Sequence, residues 1–233
     1  MCKLHAEYPG NCPAGGKENA LTRMVFVRHG QSEANVSGVF AGQTDVPLSP
    51  LGRKQACELK EFLAEHYKID AVYSSDMSRA YDTVLPAAEA FGLTIRKDIS
   101  LREIDGGLWE GREIEEIARA YPEEYALWRS DTGLSRCTGG ESMRELQERG
   151  IAGTERIAGR HRGQTVLLAT HAGFLRAMQC YWEGRPLEEM KDIPWVPNAS
   201  VTEVEYRSGK PRIVRLGEVS FLHGDLTTLR GSI

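Results

Sequence analysis

The chain has no apolar run near the ~20 residues that a membrane-spanning helix needs, which argues against an integral membrane protein. It has no run of lysines or arginines and no aromatic stripe interleaved with basic residues, and its net charge is −4. Nucleic acid and anionic membrane surfaces are therefore not expected as partners. The five cysteines (Cys2, Cys12, Cys57, Cys137 and Cys180) are odd in number and scattered, with no Cys-x-x-Cys pair. Neither a disulfide framework nor a zinc site fits that spacing. No carboxylate cluster offers a seat for a cation, so no metal or other cofactor is expected. Internal repeats and low-complexity tracts are also missing. The first 22 residues hold Pro9, Gly10, Pro13, Gly15 and Gly16 but no apolar block. They read as a flexible tail, neither signal nor transit peptide, on a cytoplasmic protein. Residues 23–233 are long enough for a single domain with one substantial core.

What is present begins with Met24-Val25-Phe26-Val27, four apolar residues that read as a buried strand. The run breaks at once into Arg28-His29-Gly30. A cation and an imidazole at the carboxyl end of a buried strand are costly unless a partner meets them. In open α/β sheets, ligands bind at that end. Gly30 is expected to allow a sharp turn and a close approach to the ligand. The plain alternative is a strand end capped by polar residues.

Ser49-Pro50 then opens a helix that should end near Tyr67, Ser being a good N-cap and Pro suiting the first helical position. Residues 69–74 read as a strand, with N-cap candidates at Ser74-Ser75-Asp76 and a helix over 77–91 closed by Gly92. Arg79 falls in the first turn of that helix, where the dipole disfavours a cation unless an anion is bound. Leu93-Thr94-Ile95 reads as a short strand. Residues 104–141, with short helices at 113–121 and 122–129, read as an insertion over the strand ends, a lid. A weaker helix spans 141–161. Thr165 to Thr170 repeats the opening device, a buried strand ending in His171-Ala172-Gly173 and followed by a helix over 174–182. Residues 200–206 and 212–216 alternate apolar and polar and read as a hairpin turning at Ser208-Gly209. This order predicts an α/β fold with three αβα layers around a mostly parallel, doubly wound sheet with an antiparallel edge strand.

The ordered set of motifs resembles the histidine phosphatase superfamily, the phosphoglycerate-mutase-like group. It comprises Val27-Arg28-His29-Gly30 with Glu33 and Asn35, Ser74-Ser75 with Arg79-Ala80 and Thr83, Leu101-Arg102-Glu103 with Gly107, Trp109 and Gly111, and Thr170-His171-Ala172-Gly173. Weaker matches are Gly42-Gln43-x-Asp45, Gly139-Gly140-Glu141-Ser142 and Asn198-Ala199-Ser200. The resemblance implies a phosphoglycerate-mutase-like fold and a nucleophilic His29 that becomes phosphohistidine. It implies Arg28, Arg79 and His171 as the rest of the catalytic phosphate pocket, and Glu103 as the general acid and base. Asn35, Gln43 and the Ala172 backbone are implied as further phosphate contacts. Gly106 stands where these phosphatases usually carry an aromatic, which could loosen the loop bearing Glu103 or widen the site.

The residue types fit that chemistry on their own terms. Phosphoryl transfer is mostly positioning and charge neutralisation, and guanidiniums offer paired donors to phosphate. His29 has to be neutral at its attacking nitrogen, its other nitrogen donating to a carbonyl. Glu103 has to protonate the leaving group and then activate water. His171 is expected to donate to phosphate, as imidazolium if the bound anion favours that form. The expected substrate is a small phosphorylated metabolite and the expected reaction is monoester hydrolysis, by a monomer or homodimer. A cofactor-dependent phosphoglycerate mutase is the alternative. That branch carries a longer insertion with paired arginines and prolines, whereas here His171 follows Glu103 by only 68 residues. An inactive phosphate-binding module is the remaining alternative.

Overall fold

The computed structural model describes residues 20–228. Of the expected tail, residues 1–19 lie outside the described residues. Its last residue belongs elsewhere: Thr22 opens the first strand, buried, with its hydroxyl donating to the carbonyls of Ala158 and His161. The elements in chain order are β1 (Thr22–Arg28), α1 (Glu33–Ser37), α2 (Pro50–His66), β2 (Ala71–Ser74), α3 (Ser78–Ala90), β3 (Ile95–Lys97), α4 (Ile114–Ala120), α5 (Pro122–Ser130), α6 (Met143–Arg160), β4 (Thr165–Thr170), α7 (Ala172–Glu183), β5 (Val201–Arg207) and β6 (Lys210–Glu218), with short 3₁₀ turns between.

The described strands form one sheet in the order β3-β2-β4-β1-β5-β6. β1 to β4 run parallel, and the hairpin β5–β6 closes one edge antiparallel. Alternation along the central strands divides the core into two. Val25, Val27, Leu167 and Ala169 face α2 and α3, and Met24, Phe26, Val166 and Leu168 face α6 and α7. The three-layer αβα reading therefore holds. Each fully buried aliphatic or aromatic side chain contributes ~1.5–3 kcal/mol, so the apolar run of β1 is a major source of stability.

The hairpin turns where expected, with Ser208 and Gly209 both at positive φ. β3 begins two residues later than the sequence suggested, because its start is set by pairing of Ile95 with Val72 rather than by apolar content. α3 has Met77 as its N-cap with no side-chain cap, and Asp45 from a distant loop accepts from the Ser78 N–H at 2.7 Å. α7 begins at Ala172, earlier than expected, because its first free N–H groups are met by the Glu103 carboxylate, a partner outside its own sequence neighbourhood.

Gly30 is used differently from the expectation. Its φ is not positive, and what its missing Cβ allows is close packing of α2. A Cβ at Gly30 would lie 2.8 Å from the Gly52 carbonyl oxygen, and one at Gly52 would lie 2.0 Å from that of Gln31. Two facing glycines thus let the first turn of α2 rest on the backbone that follows β1.

In an exposed helix, Gly→Ala stabilises by about 1 kcal/mol. Gly52→Ala is expected to do the opposite, with a loss of ~1–3 kcal/mol from overpacking against backbone. Urea unfolding checks this, and a raised midpoint would contradict the packing argument.

Candidate active site

The register of the two central strands builds the site. β1 and β4 pair in parallel with Arg28 opposite Thr170, and the His29 N–H donates to the Thr170 carbonyl at 2.9 Å. The next residue on each strand is a histidine, and the rings of His29 and His171 lie 5.2 Å apart between centroids. Both are buried. The His29 Nδ1 lies 2.7 Å from the Gly30 carbonyl oxygen. That oxygen can only accept, so Nδ1 carries the proton and Nε2 keeps its lone pair. Burial, then Arg79 and Arg28, pushes the His29 pKa well below its ordinary value, against the Gly30 hydrogen bond. Burial, then Arg79 and His29, does the same to His171. Those neighbours favour the neutral form of His171, whereas the imidazolium expected above needs a bound anion. Its Nε2 lies 2.9 Å from Ser75 Oγ, and its buried Nδ1 has no partner.

Arg28 donates from Nη1 to the Val196 carbonyl at 2.6 Å, while its buried Nε has no partner. Burial lowers its pKa to about 10, with Glu103 opposing the shift. Arg79, 1% exposed, donates to the Thr44 and Gly42 carbonyls at 2.9 and 2.6 Å. A guanidinium carries five N–H donors, so others remain free for an anion. The Asn35 Oδ1 accepts from Ser32 and Asn198, which assigns its Nδ2 as the free donor. Arg28, His29, Asn35, Arg79, Glu103 and Ala172 all line one open cavity of about 210 Å³. His171 sits directly behind His29. Gln43 does not line the cavity. Its Nε2 donates to the Glu103 carbonyl at 3.2 Å and its Oε1 accepts from Arg102 at 3.0 Å, so the side chain ties its loop to the strand end.

Glu103 is held by backbone alone. Its Oε1 accepts from Ile104 and Phe174 and its Oε2 from Gly173, at 3.0 to 3.1 Å. The carboxylate thus rests on the N-terminus of α7, where the dipole favours negative charge. A Cβ at Gly173 would lie 2.5 Å from Glu103 Oε1. The glycine two residues after His171 is there to seat this carboxylate.

Comparison with known proteins fits this geometry. The sequence pattern described as "Histidine phosphatase superfamily (branch 1)" matches residues 24–219. The chain belongs to the histidine phosphatase superfamily. Phosphoserine phosphatase 1 of Hydrogenobacter thermophilus is 33% identical over 196 residues, covering 84% of this chain and 92% of that one. The metal-independent phosphoserine phosphatase of Arabidopsis thaliana is 35% identical over 207 residues, covering 88% and 85%. Among solved structures, Bacillus stearothermophilus YhfR superposes with a TM-score of 0.82 at 30% identity, covering 86% of this chain and 98% of that one.

Around this cavity of the histidine phosphatase domain, the sequence reading gave no role to Glu110 or Trp195, and gave Asn198 only as a motif match. Glu110 accepts from the N–H groups of Gln43 and Gly106 and from the Thr44 hydroxyl, stapling the loop that carries Arg79's carbonyl partners to the loop after Glu103. Trp195 and Asn198 line the cavity from the segment before β5. From the 104–141 segment Trp128 lines the cavity, whereas Arg136 donates to Gly140 and Glu145. Gly106 neither loosens the loop nor opens a gap. Its N–H is fixed to Glu110 at 2.9 Å, and a Cβ there would lie 2.7 Å from the Phe40 ring. Phe40 fills that space, edge-on to Trp109 and Trp128. Among the described residues no group of three His, Cys, Asp or Glu could hold a metal ion.

A histidine buried neutral has a folded pKa below its unfolded one of about 6.5. Below that value the unfolded chain binds more protons, so stability is present above it and falls as pH drops, by up to ~1.4 kcal/mol per pH unit for each histidine. Between pH 8 and 5.5, the melting temperature of the native chain is expected to fall more than that of a His29→Gln, His171→Gln double variant, in phosphate-free buffer. Parallel curves would refute the burial argument.

Proposed function

We propose that the chain hydrolyses phosphomonoesters of small metabolites through a phosphohistidine at His29. The reading is carried by one observation. A neutral imidazole with a free Nε2 faces a cavity also lined by the half-buried Arg28 and the buried Arg79, both of which retain unused donors. In the first step Nε2 attacks phosphorus and the P–O bond to the alcohol breaks. Arg28 and Arg79 neutralise the charge on the equatorial oxygens, and Asn35 and His171 donate hydrogen bonds to them. Protonated Glu103 gives its proton to the leaving oxygen. In the second step Glu103 takes a proton from water, which attacks phosphorus and frees His29.

The Ser75 hydroxyl can accept from the Met77 N–H and donate to His171 Nε2. That leaves the proton of His171 on Nδ1, the atom without a partner. The segment at about 104–141 serves as the cover of the site, since Ile104 and Trp128 from it line the cavity. No helix among the described residues is long and apolar enough to cross a membrane. The free thiols Cys57, Cys137 and Cys180 suit a cytoplasmic setting.

His29→Ala is expected to fold normally and to lose aryl phosphate turnover by at least ~10³-fold, assayed with a chelator present throughout. Trapping with labelled substrate is expected to give an acid-labile, base-stable phosphoenzyme in the native chain alone. Near-normal turnover in the variant would remove His29 from the nucleophile role.

A mutase needs a grip on its substrate's carboxylate, yet the cationic residues lining the cavity are Arg28 and Arg79, both beside His29. With 3-phosphoglycerate and its bisphosphate primer, formation of 2-phosphoglycerate, coupled to enolase, is expected to be at least ~10-fold slower than phosphate release from the best ester. Rapid isomerisation with little free phosphate would favour return transfer over hydrolysis.

A further inference from the structure

Resting on the hydrolase reading, we propose that this cavity selects phosphomonoesters whose alcohol portion is apolar and flat, and that Trp195 determines that specificity. Away from His29, the cavity is walled by Val39, Phe40, Ile104, Trp128 and Trp195. Phe40 and Trp128 pack edge-to-face 5.5 Å apart and are nearly buried, which makes that part of the wall rigid. Phe40 holds its place because residue 106 is glycine.

Trp195 is half-buried and held from behind. The Arg176 guanidinium lies 4.5 Å from the centre of its ring and donates to the Ile193 and Met190 carbonyls, each at 2.7 Å. The next residue, Val196, gives its carbonyl to Arg28. One short segment therefore joins the apolar wall to the guanidinium beside the nucleophile.

Asn198 and the oxygens of Gln31 and Glu103 on this side are already committed, and what Gln31 leaves over is an uncharged amide N–H. Asn198 donates to the His29 carbonyl and to Asn35, and its Oδ1 accepts from Thr228. Gln31 accepts from Ser49. Both Glu103 oxygens are held by N–H groups. Among the described residues lining the cavity, nothing charged remains for a carboxylate or an ammonium away from the phosphate end. An ester bearing both would have to strip them of water without replacement.

The test uses esters whose leaving groups are all alkoxides, so that the demand on Glu103 is similar. Benzyl phosphate is compared with glycerol 3-phosphate and O-phosphoserine. The expected kcat/KM favours benzyl phosphate by ~10-fold or more, expressed mainly in KM, and Trp195→Ala narrows that ratio by ~10-fold. Hydrolysis of all three with no preference, or a preference for O-phosphoserine, would overturn the inference and leave the hydrolase reading standing. So would a benzyl preference that survives Trp195→Ala, in respect of Trp195. If the native chain hydrolyses none of them, the hydrolase reading falls. Calorimetric binding of benzylphosphonate against 3-hydroxypropylphosphonate then decides the wall: tighter benzylphosphonate supports it and equal affinity overturns it.

Discussion

The parallel pairing of β1 with β4 is the constraint on which the rest of the molecule depends. Because Arg28 is opposite Thr170, the two residues that follow are level with each other, and both are histidines. No side chain of either strand could be shifted by one residue without turning an imidazole into the core and an aliphatic group into the cavity. The apolar alternation that packs helices on both faces therefore also fixes the histidine pair.

That placement is costly, and much of the surrounding structure offsets the cost. Two imidazoles and two guanidiniums are brought out of water within a few ångströms of one another. The imidazoles respond by staying neutral. Arg79 is satisfied in part by the carbonyls of its facing loop, and Glu110 holds the N–H groups of that same loop. Arg28 is satisfied in part by Val196. What remains unmet, Arg28 Nε and His171 Nδ1, is buried and close to His29. Buried polar atoms without partners are rare because each costs ~1–3 kcal/mol. Both belong to residues whose side chains adjoin the His29 ring.

The carboxylate partner is supported differently. Glu103 is anchored by three backbone N–H groups, two of them from the start of α7. One contact thus caps a helix and fixes the carboxylate at the cavity, and Gly173 makes it sterically possible. The pairing of Gly106 with Phe40 is comparable: a missing side chain on one loop is filled by a ring from another, and the cavity wall stays closed. In both cases a glycine is meaningful through what a distant residue places in its space.

The sequence by itself determined the α/β architecture, the central strands, most helices, and the residues Arg28, His29, Arg79, Glu103 and His171. The elements were legible because strand burial and helix caps are written in local periodicity, Arg28, His29 and His171 because polar groups at the ends of buried strands are conspicuous, Arg79 because a cation in the first turn of a helix is, and Glu103 through the family resemblance of its motif. Only the tertiary structure decided that Gly30 serves helix packing rather than a turn, that Gln43 bonds Glu103 and Arg102 and does not line the cavity, and that α7 is capped by Glu103. It alone brought Trp195, Asn198 and Glu110 to the site. Those features depend on contacts between residues far apart in the chain, and nothing in local sequence records which atoms will occupy the space beside a glycine or the far wall of a cavity.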